Sequence, residues 1–486
     1  MRQNIIAAVL SVVSLSALSI ASSSAARVAQ PDQRYERIAG AALQRGGAYE
    51  FLQSLTETIG PRLTGSEQSR AAADLLVKTL SAAGLENVHV EEYPLRSRWR
   101  RGTAQARIVA PTSLPLLVQS FGWAPGTDGS IEAPVVDAGS ITSASALPDL
   151  SNHPIVLADF PGDRTEPGYV TRGRAARRLA AAGARALIVP SDKPDRLLDI
   201  GCFGNYPAAA MPMLSMAKED SLMVRRLLEQ GGVRLSLEVT NTLDTTPAIE
   251  RNVVAELKGT ALPDRVVLLG AHFDSWDTAT GANDDGSGTA AILEAGRILK
   301  SLDIRGRRTI RLVFFSGEEQ AILGSHAYVD AHGAELDRID AVAIMDEGAG
   351  VPKGFRLHGR TDLEAALRAI LQPLAGLDAR GLSQEASFDQ DHSYFVVAGV
   401  PALTLWVEPG AYETHHHAIT DTIDKIDRRT LAVDTAVMAT AALALADADT
   451  VGARLTAAQR ADLLSRTGLD KSAAALAEPL TSSGGR

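Results

Sequence analysis

The sequence predicts an α/β protein with a mostly parallel, helix-flanked central sheet and an inserted smaller domain. From about residue 246, nearly continuous apolar stretches alternate with amphipathic ones, which is typical of buried parallel strands joined by helices. Between about 120 and 245 the apolar stretches are shorter and are separated by Gly and Pro. The chain has 486 residues, of which 45% are apolar and 22% charged, so we expect more than one domain.

Residues 1–26 are expected to be a signal peptide. Arg2 precedes an apolar run, 5–20, which lacks acidic residues and is shorter than a membrane span, and small residues follow it. Removal of this segment predicts a secreted or periplasmic protein without a membrane anchor. The single cysteine, Cys202, excludes an intramolecular disulfide and is interpreted as a small apolar filler.

The first half of the chain contains the start of the main domain and the insert. In the main-domain part, 27–119, the pattern predicts helices within 35–85, a turn at 59–66 and a strand at 88–95. In the insert, 120–245, it predicts strands at 154–160 and 186–191 and helices at 173–182 and 218–230.

The main domain continues over residues 246–448. Its predicted strands are 266–270, 309–315, 341–345 and 402–407, and its predicted helices are 289–301, 363–371 and 428–446. For residues 449–486 we expect one peripheral helix and a loose tail.

Residues that commonly bind metals follow each predicted strand of the main domain. In open α/β sheets, ligands bind beyond the carboxyl ends of the strands, so these side chains should lie close together. They are His272 and Asp274 after the first strand, Glu318 and Glu319 after the second, Asp346 after the third and His417 after the fourth, with Asp284 preceding a helix.

Imidazole and carboxylate ligands without thiolates suit zinc or a similar divalent ion. Because one catalytic zinc needs only three protein ligands, the five candidates and a spare acid predict two ions that share a carboxylate. The adjacent Glu318 and Glu319 would supply one general base and one ligand. The base would take a proton from the attacking water and return it to the leaving amine.

Four motifs resemble those of the two-zinc aminopeptidases of peptidase family 28: GAHFDSWD (270–277), GANDDGSG (281–288), FFSGEEQAILGSHAY (314–328) and HHHAITDT (415–422). The resemblance extends to 58–66, 84–91 and 99–102, and the insert is similar to a protease-associated domain. It implies a zinc-exopeptidase fold of the phosphorylase/hydrolase-like type and an exported enzyme that hydrolyses terminal peptide bonds of dipeptides or short peptides. It also implies a homodimer.

Carried over residue by residue, the resemblance implies that Asp284 bridges two zinc ions. His272 and Asp346 would complete one site, and Glu319 and His417 the other. His417 is chosen over its two neighbouring histidines because it precedes Asp421 by four residues. Glu318 would be the general base, Asp274 would orient His272, and the Asp284–Asp285 peptide would be cis. Further candidates, for substrate or oxyanion binding, are Tyr412, Tyr394 and His416.

Several other functions are excluded or remain as alternatives. The net charge of −10 and the lack of a long basic run argue against nucleic-acid binding. The serine-hydrolase motif G-x-S-x-G and the zinc motif H-E-x-x-H are absent, and GSGTAA (286–291) lacks a preceding strand that a dinucleotide site needs. Two alternatives stay open: a glutaminyl cyclotransferase-like enzyme, and a non-catalytic, receptor-like relative.

Overall fold

The computed structural model describes residues 32–142, 145–161, 168–201, 209–408, 410 and 412–477. The predicted signal peptide and Cys202 therefore lie outside the described residues. The strands are β1 (Glu86–Leu95), β2 (Arg98–Arg100), β3 (Ala104–Ala110), β4 (Leu114–Leu116), β5 (Val118–Ser120), β6 (Ile131–Ser140), β7 (Ile155–Asp159), β8 (Ala186–Pro190), β9 (Met213–Met216), β10 (Arg234–Val239), β11 (Thr242–Asp244), β12 (Ala248–Leu257), β13 (Leu262–His272), β14 (Arg308–Phe315), β15 (Ile339–Ile344), β16 (Pro352–Arg356), β17 (Gly381–Ser383) and β18 (Ala402–Val407).

The helices lie between and after these strands. They are α1 (Gln33–Arg45), α2 (Ala48–Gln53), α3 (Glu67–Ala82), α4 (Gly168–Ala181), α5 (Lys218–Gln230), α6 (Ser287–Ser301), α7 (Leu323–Ala331), α8 (Glu364–Ile370), α9 (His392–Val397), α10 (Tyr412–His415), α11 (Arg428–Asp447), α12 (Ala457–Thr467) and α13 (Asp470–Ala477). Short helical turns cover Ser54–Ile59, Ala282–Gly286, Leu336–Arg338, Thr361–Leu363, Gln372–Leu377 and Ile423–Lys425.

The central sheet has, among the described residues, eight strands in the order β1-β12-β14-β13-β15-β18-β16-β17. The four middle strands, β14, β13, β15 and β18, are parallel, whereas β1, β12 and β16 pair antiparallel with their neighbours towards the middle. His272 pairs with Phe315 and Gly270 with Ile344, so three carboxyl ends lie at one edge of the sheet. The α/β class and the mostly parallel sheet are confirmed.

Helices cover both faces of this sheet. On one face, α6 and α11 pack together above apolar side chains of the middle strands. Among the described helices, α11 alone has the length and composition to cross a membrane, but most of it is buried in this core. On the other face, α7, α9, α12 and α13 contribute Tyr328, Phe395, Leu463 and Ala473 to a second core. The buried apolar surface of both faces holds the strand ends in place.

A second sheet of eight described strands forms from residues between Ala104 and Val239, in the order β4-β3-β10-β6-β7-β8-β9-β5. Strands β6 to β9 are parallel, and α4 and α5 accompany them in the chain. Apolar side chains such as Ile155, Leu187 and Leu235 form its cores. The boundaries of the insert at 120 and 245, and its likeness to a protease-associated domain, stay predictions.

The segment after residue 450 forms two helices where the sequence predicted one. A reciprocal pair of hydrogen bonds between Thr456 and Gln459 caps the start of α12, and Gly468, with a φ of 73°, ends it. Leu469 and Ala473 then pack into the second core, which stabilises α13. The last residues of the predicted tail, 478–486, lie outside the described residues.

Candidate metal centre

His272 is the last residue of β13, and its ring is completely buried. Its Nδ1 lies 3.1 Å from the backbone oxygen of Asp274, and because a carbonyl oxygen can only accept, Nδ1 carries the proton. Its Nε2 lies 3.3 Å from a carboxylate oxygen of Asp284 and 3.3 Å from one of Asp346. Nε2 has no hydrogen-bond donor or acceptor within bonding geometry among the described residues. A cation between these three side chains would satisfy all of them.

A second group of ligand-type atoms lies on the other side of Asp284. Its Oδ2 is 3.4 Å from Nε2 of His417 and 3.7 Å from Nε2 of His416, whereas its Oδ1 faces His272. Nε2 of His417 also lies 3.0 Å from Oε2 of Glu319. Asp284, His416 and His417 bring ligand atoms within 4.8 Å of one another, as do His272, Asp284 and Asp346 on the other side. Asp284 thus has one carboxylate oxygen directed towards each predicted zinc site.

Glu318 lies beside these groups at the end of β14. Its Oε2 is 4.0 Å from Nε2 of His272, and its side chain is 12% exposed, so it can reach both the metal candidates and the cavity in front of them. Its backbone N–H donates to Oδ1 of Asp274 at 3.3 Å. The other carboxylate oxygen of Asp274 accepts from the Thr64 hydroxyl at 2.8 Å. Asp274 therefore contacts His272 through its backbone oxygen and the backbone N–H of the predicted base through its carboxylate.

The turn before α6 positions Asp284. The Asp284–Asp285 peptide is cis, as predicted. Oδ1 of Asp421 accepts from the backbone N–H of Asn283 at 2.7 Å, and Oδ2 accepts from that of Asp284 at 3.2 Å. The carboxylate of Asp285 accepts from the backbone N–H of His272 and of Gly288. Two buried acids thereby hold the backbone on both sides of the metal candidates.

Arg62, in the turn at 59–66, is a structural residue that the sequence analysis did not single out. Its guanidinium is fully buried and donates to the backbone oxygens of Phe273, Gly60, Thr280 and Gly281. It therefore joins the segment after β13 to the turn before Asp284. The only signal in the sequence was the motif TIGPRLTGS, in which an arginine stands inside a turn.

The buried carboxylates of this centre need protons or a cation between them. Burial raises the pKa of Glu319 to about 8, and the charge of Asp284 adds to the increase. Burial also raises the pKa of Asp346 to about 6, although His272 opposes part of this effect. Burial lowers the pKa of His417, but the nearby Glu319 outweighs it and brings the value to about 9. Buried carboxylates this close together are stable only with protons or a metal ion between them, which fits the predicted ligand set.

A cavity of about 470 Å³ opens in front of the metal candidates. Asp284, Glu318, Glu319, Asp346 and His417 all line it, so the side chains meant to bind metal face a space of the size that small ligands occupy. His272 is fully buried and is not among the described residues of the wall. Other described residues of the wall come from the second sheet region (Val170, Arg172, Asp199, Ile200 and Gly201) and from α13 (Ser472, Ala475 and Leu476).

Of the three candidates for substrate or oxyanion binding, two line the cavity. Tyr412 and His416 belong to its wall, and burial raises the pKa of the Tyr412 hydroxyl well above its ordinary value. The rings of His416 and His417 stack with centroids 3.7 Å apart. Burial and the adjacent His417 lower the pKa of His416 to about 3, so it stays neutral. The Tyr394 hydroxyl instead donates to the backbone oxygen of Leu476, and Tyr394 is not among the described residues of the wall.

A row of aromatic rings connects the second sheet region to His417. The centroids of Trp99 and Trp123 are 5.9 Å apart, those of Trp123 and Trp276 6.2 Å, and those of Trp276 and His417 5.9 Å. A Cβ at Gly122 would lie 2.2 Å from the ring of Trp276, so only glycine allows this approach. These contacts help to fix the position of His417, and the backbone N–H of Trp276 also donates to Oε1 of Glu319 at 3.2 Å.

The sequence profile described as "Peptidase family M28" matches residues 252–442. Carboxypeptidase Q of Rattus norvegicus is 30% identical over 405 residues, covering 82% of this chain and 85% of the relative.

Two solved structures extend the similarity to the fold. A peptidase M28 precursor from Shewanella amazonensis SB2B superimposes with a TM-score of 0.79 at 30% identity, covering 87% of this chain and 98% of the other. BSAP, a zinc aminopeptidase from Bacillus subtilis, has a TM-score of 0.61 at 24% identity and covers 81% and 93%. All these full-length similarities extend over more than four-fifths of this chain, so they include both sheets.

Proposed function

The chain belongs to peptidase family M28, which makes it a metallo-exopeptidase and implies zinc, and we propose that it uses two zinc ions to hydrolyse terminal peptide bonds of dipeptides or short peptides. The observation that best supports two ions is the position of Asp284, whose two carboxylate oxygens face His272 and His417 respectively. A shared carboxylate between two sets of nitrogen and oxygen ligands is the arrangement expected of a two-metal hydrolase.

We assign His272 and Asp346 to one ion and Glu319 and His417 to the other, with Asp284 shared. When bound, zinc in such a site acts as a Lewis acid and lowers the pKa of water to about 7. The backbone oxygen of Asp274 accepts the Nδ1 proton of His272, and its carboxylate lies near the same nitrogen. Nε2 of His272 is therefore left to bind a cation.

Glu318 is assigned the role of general base. It takes a proton from the attacking water and returns it to the leaving amine, and its side chain lines the cavity where both would be bound. Burial raises the pKa of its carboxyl well above the ordinary range, and the charges of Asp346 and Glu319 add to this while His272 opposes it. This shift belongs to the zinc-free protein, and cations bound beside the carboxyl would lower its pKa again and favour the ionised form that a general base needs.

The charge of the cavity supports recognition of a free amino terminus. Beyond the residues assigned to metal binding and to Glu318, its described wall contains Asp199, Glu347, Asp389 and Glu413. Glu347 is ion-paired with Arg356, and Asp199 lies 3.8 Å from Lys193. Arg172 and Arg356 are the cations of the described wall, so its acidic side chains still outnumber its basic ones. Acidic walls in a cleft attract a positively charged amino group. We therefore propose peptides with an unblocked amino terminus as substrates.

We also propose that the protein is exported and that it forms a homodimer. The apolar segment near the start of the chain supports a secreted or periplasmic location after signal cleavage. A homodimer rests on the family resemblance alone. Cell fractionation with detection of the amino-terminal residue of the mature protein tests export, and light scattering of the purified protein tests the dimer.

The proposed function is tested with a panel of dipeptides, tripeptides and aminoacyl-anilides on zinc-loaded and chelator-treated protein. Hydrolysis of unblocked short peptides that disappears with the chelator and returns with zinc is the expected result. Release of ammonia from peptides with amino-terminal glutamine, without hydrolysis, would support the cyclotransferase alternative. Folded, zinc-loaded protein that acts on neither class would support the receptor-like alternative.

A further inference from the structure

The last described helix, α13, lies against the same cavity as the metal candidates. Ser472, Ala475 and Leu476 line this cavity together with Glu318 and Asp346. These three residues are spaced i, i+3 and i+4, so they lie on one face of the helix. Ala474, between them in sequence, is exposed. One face of α13 is therefore a wall of the substrate space, and the opposite face contacts solvent.

Contacts with the rest of the protein hold α13 in this position. Leu469 and Ala473 pack into the core that covers the second face of the central sheet. The Tyr394 hydroxyl donates to the backbone oxygen of Leu476 at 3.4 Å, and the Tyr394 ring stacks on His326 with centroids 4.3 Å apart. Core packing by Leu469 and Ala473 and the hydrogen bond to Leu476 hold the helix in place. Its cavity face is therefore a preformed surface.

Ser472 has a polar group that the protein itself does not satisfy. The residue is 4% exposed, its Oγ is itself buried, and the hydroxyl has no hydrogen-bond partner among the described residues. Buried hydroxyls are normally paired, so this one can gain a hydrogen bond from a ligand in the cavity that its residue lines, provided that the hydroxyl turns towards it. A peptide substrate offers a backbone carbonyl or N–H for this bond.

Ile322 adds a further apolar side chain to the wall of this cavity. Ile322 follows the Glu318–Glu319 pair and also lines the cavity. Its φ is 60°, which is unusual for a β-branched residue, and its backbone N–H donates to the oxygen of Glu318 at 2.8 Å. Backbone strain of this kind persists where surrounding contacts enforce it and is frequent at functional sites. The turn thus places an isoleucine side chain within the cavity wall next to the predicted base.

We propose that α13 carries a substrate subsite, in which Ala475, Leu476 and Ile322 receive an apolar side chain of a short peptide and the Ser472 hydroxyl binds its backbone. The subsite rests on the proposed peptidase function and defines part of its specificity. Peptides with bulky apolar residues are favoured by the apolar contacts, and the helix limits how large the bound residue can be.

The test compares two substitutions one residue apart. Ala475→Phe fills the cavity face of α13, whereas Ala474→Phe adds the same ring to the exposed face. Binding of the dipeptide leucyl-leucine is measured by calorimetry on zinc-loaded protein in a Glu318→Gln background, so that cleavage does not interfere. We expect Ala475→Phe to weaken binding by about tenfold or more, and Ala474→Phe to leave it within about twofold. Ser472→Ala should weaken it by about twofold to tenfold.

The outcomes separate the subsite from the proposed function. Equal binding by the two phenylalanine variants, or no binding of the dipeptide at all, would overturn the subsite. If thermal melting shows that Ala475→Phe does not fold, the test rests on Ser472→Ala and Leu476→Ala. Unchanged binding of the dipeptide by both variants would then overturn the subsite. If the binding pattern holds while wild-type protein hydrolyses no peptide, the subsite stands and the proposed function fails.

Discussion

The carboxylate of Asp421 accepts a hydrogen bond from the backbone N–H of Asp284 at 3.2 Å. The same carboxylate accepts from the N–H of Asn283 at 2.7 Å, so it holds the turn in which the predicted bridging ligand lies. In the sequence, Asp421 follows the predicted ligand His417 by four residues. Its hydrogen bonds show that the segment after His417 is joined to the turn that contains Asp284.

Removing Asp421 is expected to weaken zinc binding without removing a ligand. Asp421→Ala leaves two buried backbone N–H groups without their acceptor, and loss of such an outer contact typically costs roughly 10- to 100-fold in metal affinity. Asp421→Asn keeps one acceptor oxygen and should lose less. Competition with a chelator measures both. Wild-type affinity in Asp421→Ala would contradict this account.

The two neighbouring histidines are expected to differ in their effect on zinc content. His417 lies close to both Glu319 and Asp284, whereas His416 is near Asp284 only. We therefore expect His417→Ala to bind about one zinc per chain and His416→Ala to keep two. Elemental analysis after dialysis against zinc gives the stoichiometry. The reverse result would assign the ligand to His416.

Arg62 is expected to stabilise the fold around the metal centre. Lysine has three donors on a single nitrogen and cannot reach the four backbone oxygens that the guanidinium binds. Arg62→Lys should lower the free energy of unfolding of zinc-free protein by about 1–3 kcal/mol. Denaturant unfolding checks this, with Arg70→Lys, on the exposed side of α3, as the control. Equal midpoints in the two variants would contradict it.

Glu250 is expected to make the zinc-free protein less stable as the pH rises. Burial raises the pKa of its carboxyl to about 7, with a smaller contribution from Asp274, while the N–H of Gly65 opposes the increase. Because the folded pKa is above the unfolded value of 4.5, ionisation costs more in the folded state. Stability is therefore lost as the pH rises from about 4.5 to about 7.

Glu250→Gln should reduce this loss, by at most about 3 kcal/mol between pH 4.5 and 8. The measurement is the free energy of unfolding at several pH values with zinc removed, for wild type and variant. The comparison uses how steeply the free energy of unfolding changes with pH, because glutamine also changes the part of this free energy that does not depend on pH. Parallel pH curves for the two proteins would show that Glu250 has no shifted pKa.

Much of the candidate site could be predicted because one rule of fold geometry places it. Parallel strands bring their carboxyl ends to the same edge, so His272, Glu319 and Asp346 lie together even though long stretches of sequence separate them. Predicting that these side chains lie together needed only the apolar pattern of the strands and the polar residues that follow them. The cis peptide at Asp284 was predicted from the family resemblance and not from the pattern.

Other features depended on contacts that no local pattern describes. Arg62 binds backbone oxygens more than 200 residues further along the chain, and a lone arginine in a turn does not indicate such a role. The Tyr394 hydroxyl points to α13, because the helix that contains Leu476 packs over it. The approach of α13 to the cavity follows from core packing by Leu469 and Ala473, in a segment expected to be peripheral.

The central claim is that Glu318 transfers the proton in a zinc-dependent hydrolysis, and one variant tests it most directly. Glu318→Gln keeps the size and shape of the side chain but removes the basic carboxylate. With zinc content equal to that of wild type, we expect kcat for a cleaved dipeptide to fall by about 100- to 10,000-fold, with KM little changed. A kcat within about tenfold of wild type at full zinc occupancy would contradict the account.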